Sequence, residues 1–187
     1  MSVNYRHILR WSACLLVVVV VGASFLQFRL ASQEASRAAA IEYRDEWVAD
    51  TIIRLKNGHS SVELYSCINT DFMLESVASM PEVKSISLKQ TIDLSDSGLA
   101  HLPSFPNLNS ISFTSESSIT DNSIIILTDC LSLHRIEILE PTAVSNEGII
   151  KLLSKMPQLE EFCHSGQFSE TMLAAARPDL KIERRPW

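Results

Sequence analysis

Two places in the chain carry residue types that could do chemistry. Asp121 stands just ahead of four consecutive apolar side chains, Ile124 to Leu127. A carboxylate against an apolar wall can be held protonated and used as a general acid. Cys163 is followed directly by His164, the residue types of a thiol nucleophile and its base. The surroundings argue against both. Asp121 has counterparts at regular intervals, Asp96, Asn146 and Glu170, each two or three residues ahead of a leading Leu or Ile. A catalytic carboxylate is not needed once per interval, whereas a helix start is. Asp and Asn accept hydrogen bonds from the free amides of a first helical turn, worth about 1 kcal/mol each. Asp96, Asp121 and Asn146 are therefore expected to be N-caps, with Glu170 a poorer one. Cys163 and His164 fall in an alternating segment expected to be a strand, where adjacent side chains point to opposite faces and cannot meet.

The remaining inventory excludes more than it offers. The histidines and cysteines show no C-x-x-C or H-x-x-x-H spacing, and no glycine-rich phosphate loop or G-x-S-x-G elbow is present. The formal charge of -6 offers no basic surface for nucleic acid. No catalytic, cofactor or metal residue and no nucleic-acid partner is expected. Cys67, Cys130 and Cys163 would invite disulfides in an exported domain. Cys67 and Cys130, however, come out roughly 10 Å or more apart at about 4.8 Å per strand, and a bridge needs about 7 Å or less between Cα atoms. Free thiols are expected.

The interval that recurs around Asp121 governs most of the chain. Four segments align, "MPEVKSISL", "FPNLNSISF", "CLSLHRIEI" and "MPQLEEFCH". Their apolar columns are Val83, Leu108, Leu133 and Leu159; Ile86, Ile111, Ile136 and Phe162; and Leu88, Phe113, Ile138 and His164. The first column steps by 25, 25 and 26 residues. Alternation in these segments predicts a strand, and the following pairs Leu99/Leu102, Ile124/Leu127, Ile149/Leu152 and Leu173/Ala176, three apart, predict a helix. Pro81, Pro106, Pro157 and Pro178 sit two residues ahead of a strand's first apolar residue, where no ladder donor is lost. An incomplete earlier copy is visible in Val62, Leu64, Leu74 and Val77, and a closing half-copy in "PDLKIERRP". One such unit cannot bury its own apolar face, so neighbouring units must stack.

An L-x-x-L-x-L strand, a turn and a T-D-x-G-L-like helix start, repeating at about 25 residues, resemble a leucine-rich repeat of the cysteine-containing, ribonuclease-inhibitor-like subtype. "VKSISL", "LNSISF" and "LHRIEI" match well, while "LEEFCH" departs by placing His164 in an inward slot. The resemblance covers roughly Val62 to Ile182 and extends to small bacterial membrane-anchored leucine-rich repeat proteins. It implies an α/β fold: a short right-handed solenoid with a parallel sheet on the concave face and helices on the convex face. It also implies protein binding through the concave face.

Ahead of the repeats the composition changes. Trp11 to Phe28 carries no charged side chain and is flanked by Arg6, Arg10 and Arg29, which predicts a transmembrane helix just long enough for a hydrocarbon core of roughly 30 Å. The alternative is a signal peptide cleaved near Val21-Gly22-Ala23, giving a secreted domain. The short tail is expected in the cytoplasm and the repeats outside it. From Ala31 to Gly58, Ile41, Trp47, Val48, Thr51, Ile52 and Leu55 recur at helical spacing and predict an amphipathic capping helix ended by Asn57-Gly58.

The expected organisation is a tail over 1–10, an anchor over 11–30, a capping helix over 31–58, a leucine-rich repeat domain of about five units over 59–184, and a tail over 185–187. Alternation puts the partner-binding candidates Tyr65, Lys89, Arg135, Glu137, Leu139, Glu161 and Cys163 on the concave face, around a small, hydroxylated middle of Ser85, Ser87, Ser110, Ser112 and Thr114. Ile126 aligns with His101 and Lys151, which face water, and is the candidate convex contact for weak self-association. The function expected is a membrane-anchored, non-enzymatic module that binds an unidentified protein. Its alternatives are a self-associating envelope scaffold and an adaptor resembling ubiquitin-ligase substrate receptors.

Overall fold

The computed structural model describes the backbone of residues 5–91, 93–115, 119–140 and 143–185, and side chains from residue 27 onward. It divides into two compact units, Met1–Tyr43 and Arg44–Trp187. The first unit is helical: helix α1, Tyr5–Lys56, begins in it and continues into the second without interruption at the 30/31 boundary expected between anchor and cap. The anchor assigned to Trp11–Phe28 falls almost wholly on residues whose side chains are not described, as does Cys14. Among the described residues no helix is long and apolar enough to cross a membrane.

Within the second unit, α1 contributes Thr51 and Leu55 to the interior, and Trp47 and Ile52 pack half-buried against the core. Ile41 lies in the first unit and is 47% exposed, so the expected apolar stripe is shorter than its sequence spacing implies. The helix stops where Gly58 takes φ +95°, a conformation that costs glycine little and most residues about 1 kcal/mol or more.

Beyond it, strands and helices alternate: β1 Ser61–Tyr65, α2 Thr70–Val77, β2 Ser85–Lys89, α3 Asp96–Leu99, β3 Ser110–Thr114, α4 Asp121–Ile125, β4 Arg135–Leu139, α5 Asn146–Lys155, β5 Glu161–His164, α6 Glu170–Ala176 and β6 Lys181–Arg184. All six strands are parallel and pair in chain order. Ser61, Ser85, Ser110, Arg135, Glu161 and Lys181 form one row across the sheet. One face of the sheet is apolar. Val62, Ile86, Ile111, Ile136 and Phe162 are buried beneath it, as are Leu64, Leu88, Phe113, Ile138 and His164. The helices supply Leu74, Leu99, Ile124, Ile149 and Leu173 to the same core. A further column, Leu94, Ile119, Val144 and Phe168, closes it on the far side of each strand; only Val144 is less than fully buried.

Each of the first five strands leaves the sheet through a left-handed residue: Ser66, Gln90, Ser115, Glu140 and Gly166, with φ between +50° and +103°. The first three continue the ladder, their amides donating to Lys89 O, Thr114 O and Leu139 O. The left-handed step turns the chain off the sheet without losing that bond. In four of five copies a non-glycine residue carries the strain, about 1–2 kcal/mol each.

The helix starts differ from the sequence expectation by one residue. The N-caps are Ser95, Thr120 and Ser145, whose hydroxyls accept from the amides of Ser97, Ser123 and Gly148. Asp96, Asp121 and Asn146 are the first helical residues and do not cap their own helices. Their side chains instead reach the next unit. The Asp121 carboxylate accepts from the Ser145 amide at 2.7 Å and from the Ser145 hydroxyl at 2.6 Å. Asp71 holds Ser95 in the same two ways, and Asn146 Oδ1 accepts from the Ser169 amide at 2.8 Å. Asp96 makes its link differently, accepting from the Ser123 hydroxyl at 2.6 Å. Each of these side chains therefore fastens one unit to the first turn of the following helix, which a helix-by-helix reading cannot see.

Two glycines make room for this. A Cβ on Gly98 would stand 2.0 Å from Asp71 Oδ1, and one on Gly148 would stand 2.1 Å from Asp121 Oδ1. Ser123 occupies the same slot in the unit between them. Its hydroxyl substitutes for the missing contact, accepting from the Thr120 amide while donating to Asp96.

Candidate functional site

The second face of the sheet is open and carries the alternate residues of every strand. Tyr65, at one end, is 60% exposed, with Lys89 Nζ 5.4 Å from its ring centroid, a cation–π pair on the surface. The middle is small and hydroxylated, with Ser85, Ser87, Ser110, Ser112 and Thr114 half-buried. Leu139 is half-buried on the next strand.

The other end is a cluster of ion pairs. Arg135 reaches Glu161 at 2.7 Å and Glu137 at 3.8 Å. Lys181 bridges Glu161 at 2.9 Å and also pairs with Glu183. Arg185 reaches Glu183 at 2.8 Å and Glu137 at 3.4 Å. Three cations thus meet three carboxylates across β4, β5 and β6. The hydrogen bonds from Lys181 and Arg185 hold the Glu183 carboxyl down to about 2. Arg135, Glu137 and Glu161 belong to the expected binding set, but they are spent on one another. Lys181, Glu183 and Arg185 were missing from it. The alternation Lys-x-Glu-x-Arg in the closing half-copy was the available signal, since it continues the same rows by one strand.

Cys163 corrects a sequence expectation. It lies on the open side, in register with Glu137 and Glu183, yet it is 0% exposed. Arg135 Nη2 comes within 3.7 Å of its sulfur, and the thiol itself is 3.8 Å from Glu183 Oε2, so the charged side chains close over it. A partner on the sheet face meets the lid and not the thiol. Burial pushes the thiol up to about 11 against the lowering influence of Arg135 and Arg185, so it is neither thiolate nor nucleophile at neutral pH. Glu161, Cys163 and Glu183 bring one ligand atom each within 4.8 Å of one another. Three cations already neutralise the acids there, so a metal ion would have to displace Arg135 and Lys181 or Arg185.

His164 faces the interior, stacked at 5.9 Å on Phe162 and in tilted contact with Phe168. Its Nδ1 accepts from the Gly166 amide at 3.1 Å, and its Nε2 is buried with no partner among the described residues. Burial lowers its pKa, with Arg184 acting in the same direction and Glu170 opposing. Cys163 and His164 point to opposite faces, as strand geometry requires.

Ile126 is likewise corrected. It is half-buried and packed against the core; of the two residues it aligns with, His101 is half-buried as well and only Lys151 is exposed. Another residue that sequence spacing did not single out is Arg177. Its guanidinium donates to Met156 O at 2.7 Å, Leu159 O at 3.1 Å and Leu153 O at 3.2 Å, and pairs with Asp179 at 2.8 Å. It adds a second donor to the Leu153 and Met156 carbonyls, which already accept from the Met156 and Leu159 amides, and ties the end of α5 to the start of β5.

Compared with known proteins, the chain matches no protein-family model and no curated protein.

Proposed function

We propose that this chain is a membrane-tethered, non-enzymatic docking module: a short leucine-rich repeat solenoid that offers its open sheet face to a protein partner outside the cytoplasm. The observation that carries the reading is that face. It is broad and preorganised, with an exposed aromatic–cation pair, Tyr65 and Lys89, at one end and a neutralised charge cluster at the other. Aromatic side chains supply contact area at low entropic cost, and the small hydroxylated middle leaves space for a ligand element between the two ends. Tethering rests on the charge-free run Trp11–Phe28. The repeat register rests on the 25-residue columns and on parallel strands paired in chain order.

Site-specific photocrosslinking in the native membrane tests it. A crosslinker at Ser87 or Ser112 should trap the same neighbour, and one at Lys151, on α5, should not. Tyr65→Ala combined with Lys89→Glu should weaken that crosslink about tenfold or more, the effect of losing one hot-spot contact. A Ser87 product that also forms from Lys151, or that survives the double substitution, would refute the reading. The tether is tested separately, since carbonate extraction should leave the chain in the membrane pellet.

A further inference from the structure

One polar side chain stands in a core column that is otherwise apolar. Leu64, Leu88, Phe113 and Ile138 occupy that column on the first four strands, and His164, 0% exposed, occupies it on β5. Past it the chain turns through the left-handed Gly166 into α6 and β6, the last unit of the solenoid. That unit buries three apolar side chains, Phe168, Leu173 and Leu180, with Ile182 half-buried against the core. β6 is an edge strand, so the unit has a neighbour on one side only and opens at lower cost than a unit packed on both.

The surroundings of His164 accept one protonation state. The Gly166 amide donates to Nδ1 at 3.1 Å, so Nδ1 presents a lone pair and the proton of the neutral ring is on Nε2. Nε2 is buried with no acceptor among the described residues. A second proton has to go on Nδ1, where it would point at the Gly166 N–H. An acceptor is then lost and two donors face each other. The ring is enclosed by Phe162 and Phe168, and its neighbours along the sheet are Ile138 on β4 and Arg184 on β6. Arg184 extends over Gly166, its Nε 2.6 Å from the position a Cβ there would take, and sets a positive charge beside the same site. Glu170, at the start of α6, is the carboxylate that opposes these effects, but Nε2 makes no bond to it.

We propose that His164 is an acid-sensitive latch: proton uptake on its imidazole breaks the Gly166 contact and releases α6 and β6, while the preceding units stay folded. Release carries Glu183 and Arg185 away from Cys163 and bares the edge of β5. It also dismantles the charged end of the open face, since Lys181, Glu183 and Arg185 leave together. The opened imidazole titrates near its ordinary value of 6.5. With the closed form neutral throughout, the opened fraction rises about 25-fold from pH 7 to pH 5. None of this depends on what the open face binds.

Site-resolved labelling of the full chain in detergent with a dipyridyl disulfide, which reacts with thiols in mild acid, reads the opening. Each rate is divided by that of the same cysteine in the urea-unfolded chain at the same pH. The normalised rate at Cys163 should rise about tenfold or more between pH 7 and pH 5. Cys67 and Cys130, buried in earlier units, should stay protected. Glu183, held down to about 2, keeps its charge across this range, so its titration does not loosen the lid. His164→Gln, polar but without a proton to gain, should label Cys163 at one normalised rate at both pH values, and His164→Leu should label it slowly at both. No rise at Cys163, a rise retained in His164→Gln, or Cys67 and Cys130 labelled in parallel with Cys163 would each overturn the proposal.

Discussion

Replacing Gly148 by alanine should destabilise the protein even though alanine is the better helix former. The added methyl would sit 2.1 Å from Asp121 Oδ1 and 2.4 Å from its Cγ, so the carboxylate must move by more than 1 Å. That movement breaks its bonds to the Ser145 amide and hydroxyl, at 2.7 and 2.6 Å. Hydrogen bonds to an ionised group are worth about 1.5–3 kcal/mol, and this half-buried carboxylate belongs at the lower end, so the pair contributes about 3 kcal/mol. Against it stands a helix-propensity gain of about 1 kcal/mol for Gly to Ala. The net is a loss of about 2 kcal/mol, or about 4–8 °C in melting temperature for a chain of this size. Without the Asp121 carboxylate the sign should reverse. In an Asp121→Ala background, Gly148→Ala should stabilise by about 1 kcal/mol, giving a coupling of about 3 kcal/mol in a double-mutant cycle. Hydrogen exchange of the β4 to α5 segment reads this locally, alongside urea unfolding followed by Trp47 fluorescence. If Gly148→Ala is equally favourable with and without Asp121, the inter-unit clamp does not exist.

The other expectations are briefer. Cys163 should resist iodoacetamide at pH 8 in the folded chain and react in urea; Arg135→Ala should speed labelling of the folded chain, and an unchanged rate would mean that Arg135 is not part of the lid. His164 has a folded-state pKa below its unfolded value, so the stability linked to it is fully present above about pH 6.5 and declines as pH falls through that value. Accordingly His164→Leu should flatten the fall in stability between pH 7 and 5, and an unaltered slope would assign the acid sensitivity elsewhere. Arg177→Met should cost about 1–2 kcal/mol in thermal unfolding, because the Leu159 carbonyl loses its guanidinium donor and those of Leu153 and Met156 keep only their backbone amides; no measurable cost would mean that water replaces the guanidinium fully. Gln90→Gly should be near neutral, since relief of left-handed strain offsets added chain entropy; Gln90→Val should cost about 2 kcal/mol, and equal effects would remove the strain account.

Much of the architecture was legible from spacing alone. The strand rows and the concentration of apolar side chains on one face follow from columns that recur about every 25 residues, and the helix stop at Asn57-Gly58 follows from the glycine itself. The site was less legible. Tyr65 and Lys89 could be placed on the open face by alternation, but Cys163, by the same rule an exposed thiol, proves to be covered. Alternation reports which face a side chain leaves from; whether it stays accessible depends on how far long neighbours such as Arg135 and Arg185 fold across it. The Asp column shows the same division. Its residue type and position named a helix start, while its true partner lies in the next unit.

What the sequence determined by itself is the set of buried columns and the side of the sheet on which each polar residue stands. Every unit must bury the same face, so a misplaced apolar residue is penalised repeatedly and the period stands out. Tertiary structure alone decided how the polar groups are used: Asp121 on Ser145, Arg135 on Glu161, and Arg177 on the carbonyls around the end of α5. Those choices depend on distances of a few ångströms between residues some 18 to 28 apart in sequence and on single rotamers, and one chain read linearly carries no signal of either.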